Sequence, residues 1–368
     1  MELKTKRADF LATLYWTQSI VERRNTMPIL ANVLIECQKG TVRVSATDLE
    51  VGVRAKLDGE VAQEGTVTVN AKKVYEIVRE SPEESIELKR LENDWVEIKS
   101  GRSIFKMVGI DAREFPQFPE FEREKLAAVP AEILREMIEK TIFSVSTDET
   151  RHALNGVLLE EGEGGRVTMV ATDGHRLALI ERGAGTIGLE KRVILPRKGL
   201  AEVGKLLEAT EDGVISLGFQ ENMGLVVKEN VELFMRLIDG EFPDYTKVIP
   251  KGNPNIVKIE QAKLLQALRR VSILSSERYK GIKTELKEGR MLISASNPEL
   301  GEAVEEMEVE YQGKALTVGF NARYLMDVLG VMEDGGVVAV ELKDELSPGL
   351  IKKEGDEGYL YVVMPMRL

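Results

Sequence analysis

Thr41-Val42-Arg43-Val44-Ser45-Ala46-Thr47-Asp48 is a short alternating strand that runs into a turn, and the chain writes it three times. It recurs as Arg166-Val167-Thr168-Met169-Val170-Ala171-Thr172-Asp173 and as Arg290-Met291-Leu292-Ile293-Ser294-Ala295-Ser296-Asn297, at a spacing of about 125 residues. In the first copy Val42, Val44 and Ala46 alternate with Thr41, Arg43 and Ser45, the period-two pattern of a strand with one buried face. The surroundings keep the same order. An amphipathic helical stretch precedes each copy (Phe10 to Val21, Ile133 to Ile142, Leu264 to Val271) and a second follows it (Lys72 to Arg79, Lys198 to Leu207, Ala322 to Val331). Each copy closes near a proline, at Phe115-Pro116, Phe242-Pro243 and Met364-Pro365. Repetition of this length marks one structural unit used three times, which favours a scaffold over a single cleft.

Strand-like text fills the space between the helices. Thr66 to Val69, Val193 to Leu195 and Ala315 to Val318 lead into the second helix of each copy, and Ser85 to Leu88, Val214 to Leu217 and Val337 to Leu342 follow it. The order predicts an α+β unit, an antiparallel sheet with two helices on one face. A helix packed on a sheet buries its apolar side there and turns its charged side outward. The predicted domains are 1–120, 128–246 and 247–368, joined by extended linkers at Pro116 to Ala128 and Tyr245 to Asn255. Asp173-Gly174 between two apolar strands is a tight-hairpin signal.

Composition sets the class. The chain has 368 residues, 43% hydrophobic and 30% charged, as expected of a soluble globular protein. No apolar run approaches the roughly 18 residues of a membrane span, and Met1-Glu2-Leu3-Lys4 does not open an apolar leader. A single cysteine, Cys37, suits a reducing cytoplasm and, inside the strand Val33 to Cys37, reads as buried packing. A net charge of -12 argues against a surface that binds nucleic acid everywhere. The charge is nonetheless segregated: helices predicted over 8–24, 71–80, 131–142, 197–208, 261–272 and 321–332 hold 14 basic and 10 acidic residues, a net of +4 that leaves -16 for the remainder. Outward helix faces of three units set edge to edge would then form one basic surface.

Catalytic and cofactor signatures are missing from the sequence. It has two histidines, His152 and His175, no Cys/His cluster with metal-ligand spacing, and no phosphate-binding or nucleophile-elbow motif. The expectation is no catalytic residue, no metal and no cofactor. Asp173 and His175 stand close enough in sequence to orient one another, which keeps a hydrolase reading open, although no nucleophile lies beside them. A peptide-binding scaffold of repeated domains is another reading. The apolar C-terminus, Tyr361-Val362-Val363-Met364-Pro365-Met366-Arg367-Leu368, either completes a core or lines a groove; methionines there suit a surface that adapts to several partners.

Ala171-Thr172-Asp173-Gly174-His175-Arg176-Leu177-Ala178, Leu195-Pro196-Arg197-Lys198-Gly199, Phe242-Pro243-Asp244-Tyr245 and Val362 to Leu368 together resemble the bacterial DNA polymerase III β subunits, the β sliding clamps. Thr26 to Leu30, Thr47 to Glu50 and Ser100 to Ser103 extend the match, in order, along the whole chain. The resemblance implies three clamp-fold domains, with antiparallel sheets outside and two helices per domain lining the inner face of a head-to-tail dimeric ring around duplex DNA. It implies a processivity factor, not an enzyme, whose partners are double-stranded DNA held without sequence reading, the replicative DNA polymerase, an ATP-driven clamp loader, other clamp-binding repair and replication proteins, and a second copy of itself.

Residue by residue, the resemblance assigns DNA contact to Arg24, Lys72, Arg197 and Lys198, and positive charge adds Arg269, Arg270, Arg278 and Lys280. His152-Ala153 stands where some relatives carry paired tyrosines, which removes a stacking contact. The implied partner-peptide groove is Leu154, Thr172, Gly174, His175, Arg176, Leu177, Pro243, Lys247, Val248, Val362, Met364, Pro365 and Met366. Lys247 and Pro348 replace an arginine and a serine of some relatives. The implied dimer interface pairs the edge strand Ile104, Phe105, Lys106 and Met107 with the Ile273-Leu274 region, supported by Lys73, Arg102 and Lys106 facing Glu299, Glu302, Glu305 and Glu306.

Overall fold

The computed structural model describes residues 1–21, 27–38, 40–210, 213–332 and 336–367. Two compact units divide the chain, residues 1–130 with 201–237 and residues 131–200 with 238–368. Among the described residues there are six α-helices: α1 (Arg7–Ile20), α2 (Ala71–Glu80), α3 (Ala131–Glu139), α4 (Arg197–Ala209), α5 (Gln261–Val271) and α6 (Ala322–Gly330). None is long and apolar enough to cross a membrane.

In the first unit, Thr41–Thr47 is a strand between Asn32–Gln38 and Val51–Leu57, and Val42, Val44 and Ala46 are buried. These side chains meet α1, which buries Phe10, Leu14 and Thr17 along one stripe. α2 begins where the Asn70 side chain accepts from Lys73 N, a cap that satisfies one free amide of the first turn. The sheet has eight strands, all antiparallel, in the order Ala127–Pro130, Val214–Gln220, Met223–Lys228, Val231–Arg236, Val51–Leu57, Thr41–Thr47, Asn32–Gln38, Gly65–Asn70. Pairing of Met235 with Val51 thus fuses strands from two consecutive repeats into one sheet. A second sheet of five strands ends at Ser103–Val108.

The other unit repeats this plan. Arg166–Thr172 and Arg176–Gly183 form the hairpin signalled by Asp173-Gly174, and Arg176–Gly183 pairs with Tyr359–Val363, Leu177 opposite Val362. Eight antiparallel strands run Val193–Pro196, Gly156–Glu161, Arg166–Thr172, Arg176–Gly183, Tyr359–Val363, Gly349–Lys353, Val337–Leu342, Asn255–Glu260. A four-stranded sheet ends at Gly301–Glu308. Its Arg290–Asn297 strand is the third copy of the opening stretch.

Several local expectations shift. α1 begins at Arg7, whose guanidinium donates to the Val78 and Arg79 carbonyls at the end of α2. α3 stops at Glu139 because the Thr141 hydroxyl donates to Met137 O, closing the helix before a short 3-10 turn, Ile142–Ser144. The stretch from Pro116 is not a bare extended linker. Phe118 packs against Phe234 with ring centroids 4.8 Å apart, and Arg123 pairs with Glu232. Cys37 is buried in its strand, and burial pushes its thiol up to about 11, which leaves it unreactive. The helices hold 12 basic and 9 acidic side chains, a net of +3 and the sign expected.

A half-buried ionic cluster pins α3 to the turn before the last strand. Lys140 Nζ lies 2.7 Å from Glu136 and 3.2 Å from Asp356, while Arg182 donates to Glu136 and to Asp356 at 2.6 and 2.8 Å. Burial alone would raise the Glu136 and Asp356 carboxyls, but hydrogen bonds from Arg182 and Lys140 hold both below the ordinary carboxylate range. A carboxyl whose folded pKa lies below its unfolded one contributes stability that is complete above the unfolded value and lost as pH falls through the folded one. The expected result is a loss of stability on acidification below about pH 4 that is shallower in Asp356→Asn. Urea melts across this range check it, and an unchanged acid slope in the variant would remove the cluster as the cause.

Candidate functional site

The turn at Thr172 to Leu177 is built by its own side chains. Gly174 N donates to Thr172 Oγ1 at 3.1 Å, and His175 N and Arg176 N donate to Asp173 Oδ1 at 2.9 and 3.0 Å. Thr172 Oγ1 in turn donates to Arg176 O at 2.6 Å. Gly174 sits at φ 87°, a conformation that favours glycine. An added Cβ would also lie 2.7 Å from Arg151 Nη1, whose guanidinium donates to Asp173 O. Asp173 is therefore spent on backbone amides and on Arg176, and it does not orient the His175 ring for proton transfer.

Arg176, which the resemblance assigns to the groove, is buried. Its side chain is only 9% exposed. Nε donates to Asp173 at 3.0 Å, Nη1 to Asp327 at 2.6 Å and Nη2 to Phe143 O at 2.6 Å. The guanidinium also stands 4.4 Å from the Tyr324 ring centroid. A planar fork satisfied on all sides is a girder that ties the turn to α6. Asp327 and Tyr324 were missed from sequence, since nothing local signals a partner 151 residues away.

The apolar floor comes next. Leu177 and Val362 are buried with Leu158, Val170, Ile194, Phe242 and Leu350, and Leu154 and Tyr245 pack against them. Above this floor Pro243, Val248, His175 and Met364 are exposed, Val248 by 47% and Met364 by 39%. Met364 N donates to His175 O, and Met366 N donates to Gly319 O, each at 2.8 Å. The C-terminal segment is thus pinned at both ends, with Pro365 and Met366 half-buried between solvent and protein. Tyr359, Tyr361 and Val363 complete a core, and the residues after them stay at the surface. Lys247 is exposed and pairs with Asp244 at 3.0 Å. Tyr245 donates to Glu160 at 2.7 Å, and burial first, then that carboxylate, pushes its phenol pKa up. The arrangement offers apolar anchoring points beside backbone and charge, which suits an extended peptide.

Of the basic residues, Arg24 lies outside the described residues. Lys72 on α2 is half-buried, Arg197 opens α4 exposed to solvent, and Lys198 follows it half-buried. Arg269 and Arg270 end α5, but Arg270 is bound to Glu305 by two hydrogen bonds of 3.0 and 2.5 Å. Arg278 stacks over Tyr279 at 5.1 Å, with Lys280 two residues on.

Two sheet edges complete the picture. Ser103–Val108 is the terminal strand of its sheet, with Ile104, Phe105 and Val108 exposed by 57, 37 and 62%. Met107 on it is half-buried and Arg102, just before it, exposed. Gly301–Glu308 is the terminal strand of the four-stranded sheet, with Val304 exposed by 61%. Ile273 and Leu274, expected to meet an edge strand, form a 3-10 turn beside Gly301–Glu308 and offer no ladder of their own. Ile273 is 72% exposed. The ionic residues are partly spoken for within the chain: Lys73 pairs with Glu76, Lys106 with Glu97, Glu305 with Arg270 and Glu306 with Arg290. Glu299 and Glu302 are exposed.

Comparison with known proteins covers the chain end to end. Residues 1–119, 128–244 and 246–367 match the profiles of the DNA polymerase III beta subunit N-terminal, central and C-terminal domains. The beta sliding clamps of Pseudomonas putida and Vibrio cholerae are 38% and 35% identical to it, each over 100% of both chains. Among solved structures, the Caulobacter crescentus DNA polymerase sliding clamp superposes with a TM-score of 0.94 at 36% identity. A Pseudomonas aeruginosa sliding clamp bound to griselimycin does so with 0.92 at 36%, again over 100% of both chains.

Proposed function

The chain belongs to the DNA polymerase III beta-subunit family, the beta sliding clamps, and from that premise we propose which of its residues do the work of a clamp. It is a sliding clamp of three clamp domains and acts by tethering, not by catalysis. We assign the domains to 1–120, 128–246 and 247–368. Two chains close head to tail, the Ser103–Val108 edge of one adding to the Gly301–Glu308 edge of the other, with Ile273 and Leu274 as the apolar neighbours. Six domains then surround duplex DNA in the cytoplasm. Arg24, Lys72, Arg197 and Lys198 attract phosphates without reading bases, so the ring persists by topology and slides. Net negative charge elsewhere discourages DNA from binding outside the ring.

One observation carries the tethering role: Met364 is held exposed over the Leu177 and Val362 floor by its bond to His175. We assign to this groove the linear peptides of the replicative polymerase, the ATP-driven loader and repair factors. Arg176 acts there as a positioning residue rather than a contact. Deleting Met364 to Leu368 is expected to weaken binding of the polymerase by at least about 100-fold, roughly 3 kcal/mol, while the mass of the particle in solution stays that of two chains. Fluorescence titration with a polymerase peptide checks it, and retention of full affinity would transfer the tethering role elsewhere. Charge reversal at Lys72 or Arg197 is expected to shorten residence on circular DNA while leaving peptide binding intact. A variant that loses both, or neither, contradicts the assignment.

A further inference from the structure

The unit made of residues 1–130 and 201–237 contains the groove turn a second time, bond for bond. Thr47 Oγ1 donates to Val51 O and accepts from Leu49 N, both at 3.0 Å. Asp48 Oδ1 accepts from Glu50 N at 2.9 Å and from Val51 N at 2.7 Å. The same four bonds make the turn at Thr172 and Asp173. Arg236 N donates to Glu50 O at 2.8 Å, just as Met364 N donates to His175 O at 2.8 Å. The strand registers agree, Met235 opposite Val51 and Val363 opposite Arg176. The position held by Met364 in one unit is therefore held by Arg236 in the other.

Around this second turn lies a cavity of about 280 Å³ with Phe118, Phe234, Val51 and Met223 in its lining. Gly52 keeps it closed at the base: a Cβ there would meet Phe118 Cε1 at 2.3 Å, so the ring rests directly on backbone. Leu49 occupies the position of Gly174 and is held at φ 79°, where a side chain is strained, with its apolar group 49% exposed at the rim. Arg236 is exposed, and its guanidinium makes no hydrogen bond or ion pair among the described residues. The volume suits one large side chain, the lining is aromatic, and the unmatched charge at the rim is positive.

We propose that this cavity is a second docking site, distinct from the groove, for a short linear peptide that inserts one aromatic or branched aliphatic side chain and places a carboxylate on Arg236. Exchange of a methionine for an arginine at equivalent positions gives the two sites different tastes, neutral in one and acidic in the other. Glu50 shares the rim, so a peptide acidic throughout is disfavoured.

The test is methyl NMR of the full-length protein with labelled methionine, titrated with N-acetyl-leucyl-phenylalanine as the free acid and as its amide. The expected result is a saturable shift of the Met223 methyl by the acid below about 10 mM. Binding should weaken at least about fivefold with the amide or in Arg236→Gln, the signature of a charge-assisted contact. Met364 and Met366 report on the groove in the same spectra, and their response should be the same in Arg236→Gln as in the parent. A motionless Met223, an equal response to acid and amide, or an equal response in Arg236→Gln overturns the proposal whatever the groove does.

Discussion

Phe105→Glu is expected to turn a two-chain particle into single folded chains. Ser103–Val108 ends its sheet with Ile104, Phe105 and Val108 turned to solvent, an apolar edge that soluble proteins cover or blunt. On the proposed reading the cover is Gly301–Glu308 of a second copy, whose Val304 is exposed and whose neighbour Ile273 is among the most exposed apolar side chains described. A strand added edge to edge satisfies one row of backbone groups on each side, while anchors such as Phe105 supply the apolar burial. Glutamate removes that anchor and brings a further carboxylate to the acidic Gly301–Glu308 edge. The expected weakening of association is about 1000-fold, roughly 4 kcal/mol, and urea denaturation of the single chain separates this from any loss of the chain's own stability, since Phe105 is 37% exposed within it. Sedimentation equilibrium at micromolar concentration decides it. A variant that keeps the mass of two chains would place the interface elsewhere.

Arg176→Ala is expected to cost about 3 kcal/mol or more of stability and to remove most peptide binding. The guanidinium compensates Asp173 and Asp327 and donates to the Phe143 carbonyl; alanine leaves all three without it beside Tyr324 and Tyr361. The turn carrying His175 would then lose its tie to α6, and Met364, which hangs on His175 O, would lose its place. Arg176→Lys should rescue poorly, since a single ammonium cannot reach three acceptors in different directions. Urea denaturation and peptide titration of both variants check this. Parent-like stability in the alanine variant would mean that Arg176 is a surface contact after all.

The parts of this fold that are local in sequence were legible in it. Val42, Val44 and Ala46 alternate because one face of their strand meets α1, and the same logic placed Arg166–Thr172 and Arg290–Asn297. The Thr172-Asp173-Gly174 turn declares itself because its capping atoms lie within four residues of the amides they cap. What depends on distant partners did not show. Arg176 reads as an exposed hairpin residue until Asp327 arrives from another repeat. Arg270 reads as a free cation until Glu305 folds against it. The resemblance makes the Ile273-Leu274 region the partner of an edge strand, yet α5 runs on into a 3-10 turn there and the sheet edge beside it is Gly301–Glu308. Pro116 to Ala128 has linker composition, but two aromatic side chains, Phe118 and Phe121, find Phe234.

The central claim is that persistence on DNA comes from enclosure. The measurement is retention after loading onto a closed circular plasmid, before and after one double-strand cut. Enclosure predicts long residence on the circle, rapid loss once an end exists, and weak dependence of the circular lifetime on salt. Equal retention on cut and uncut plasmid would mean that the protein grips duplex DNA along its surface, and the ring would have no role.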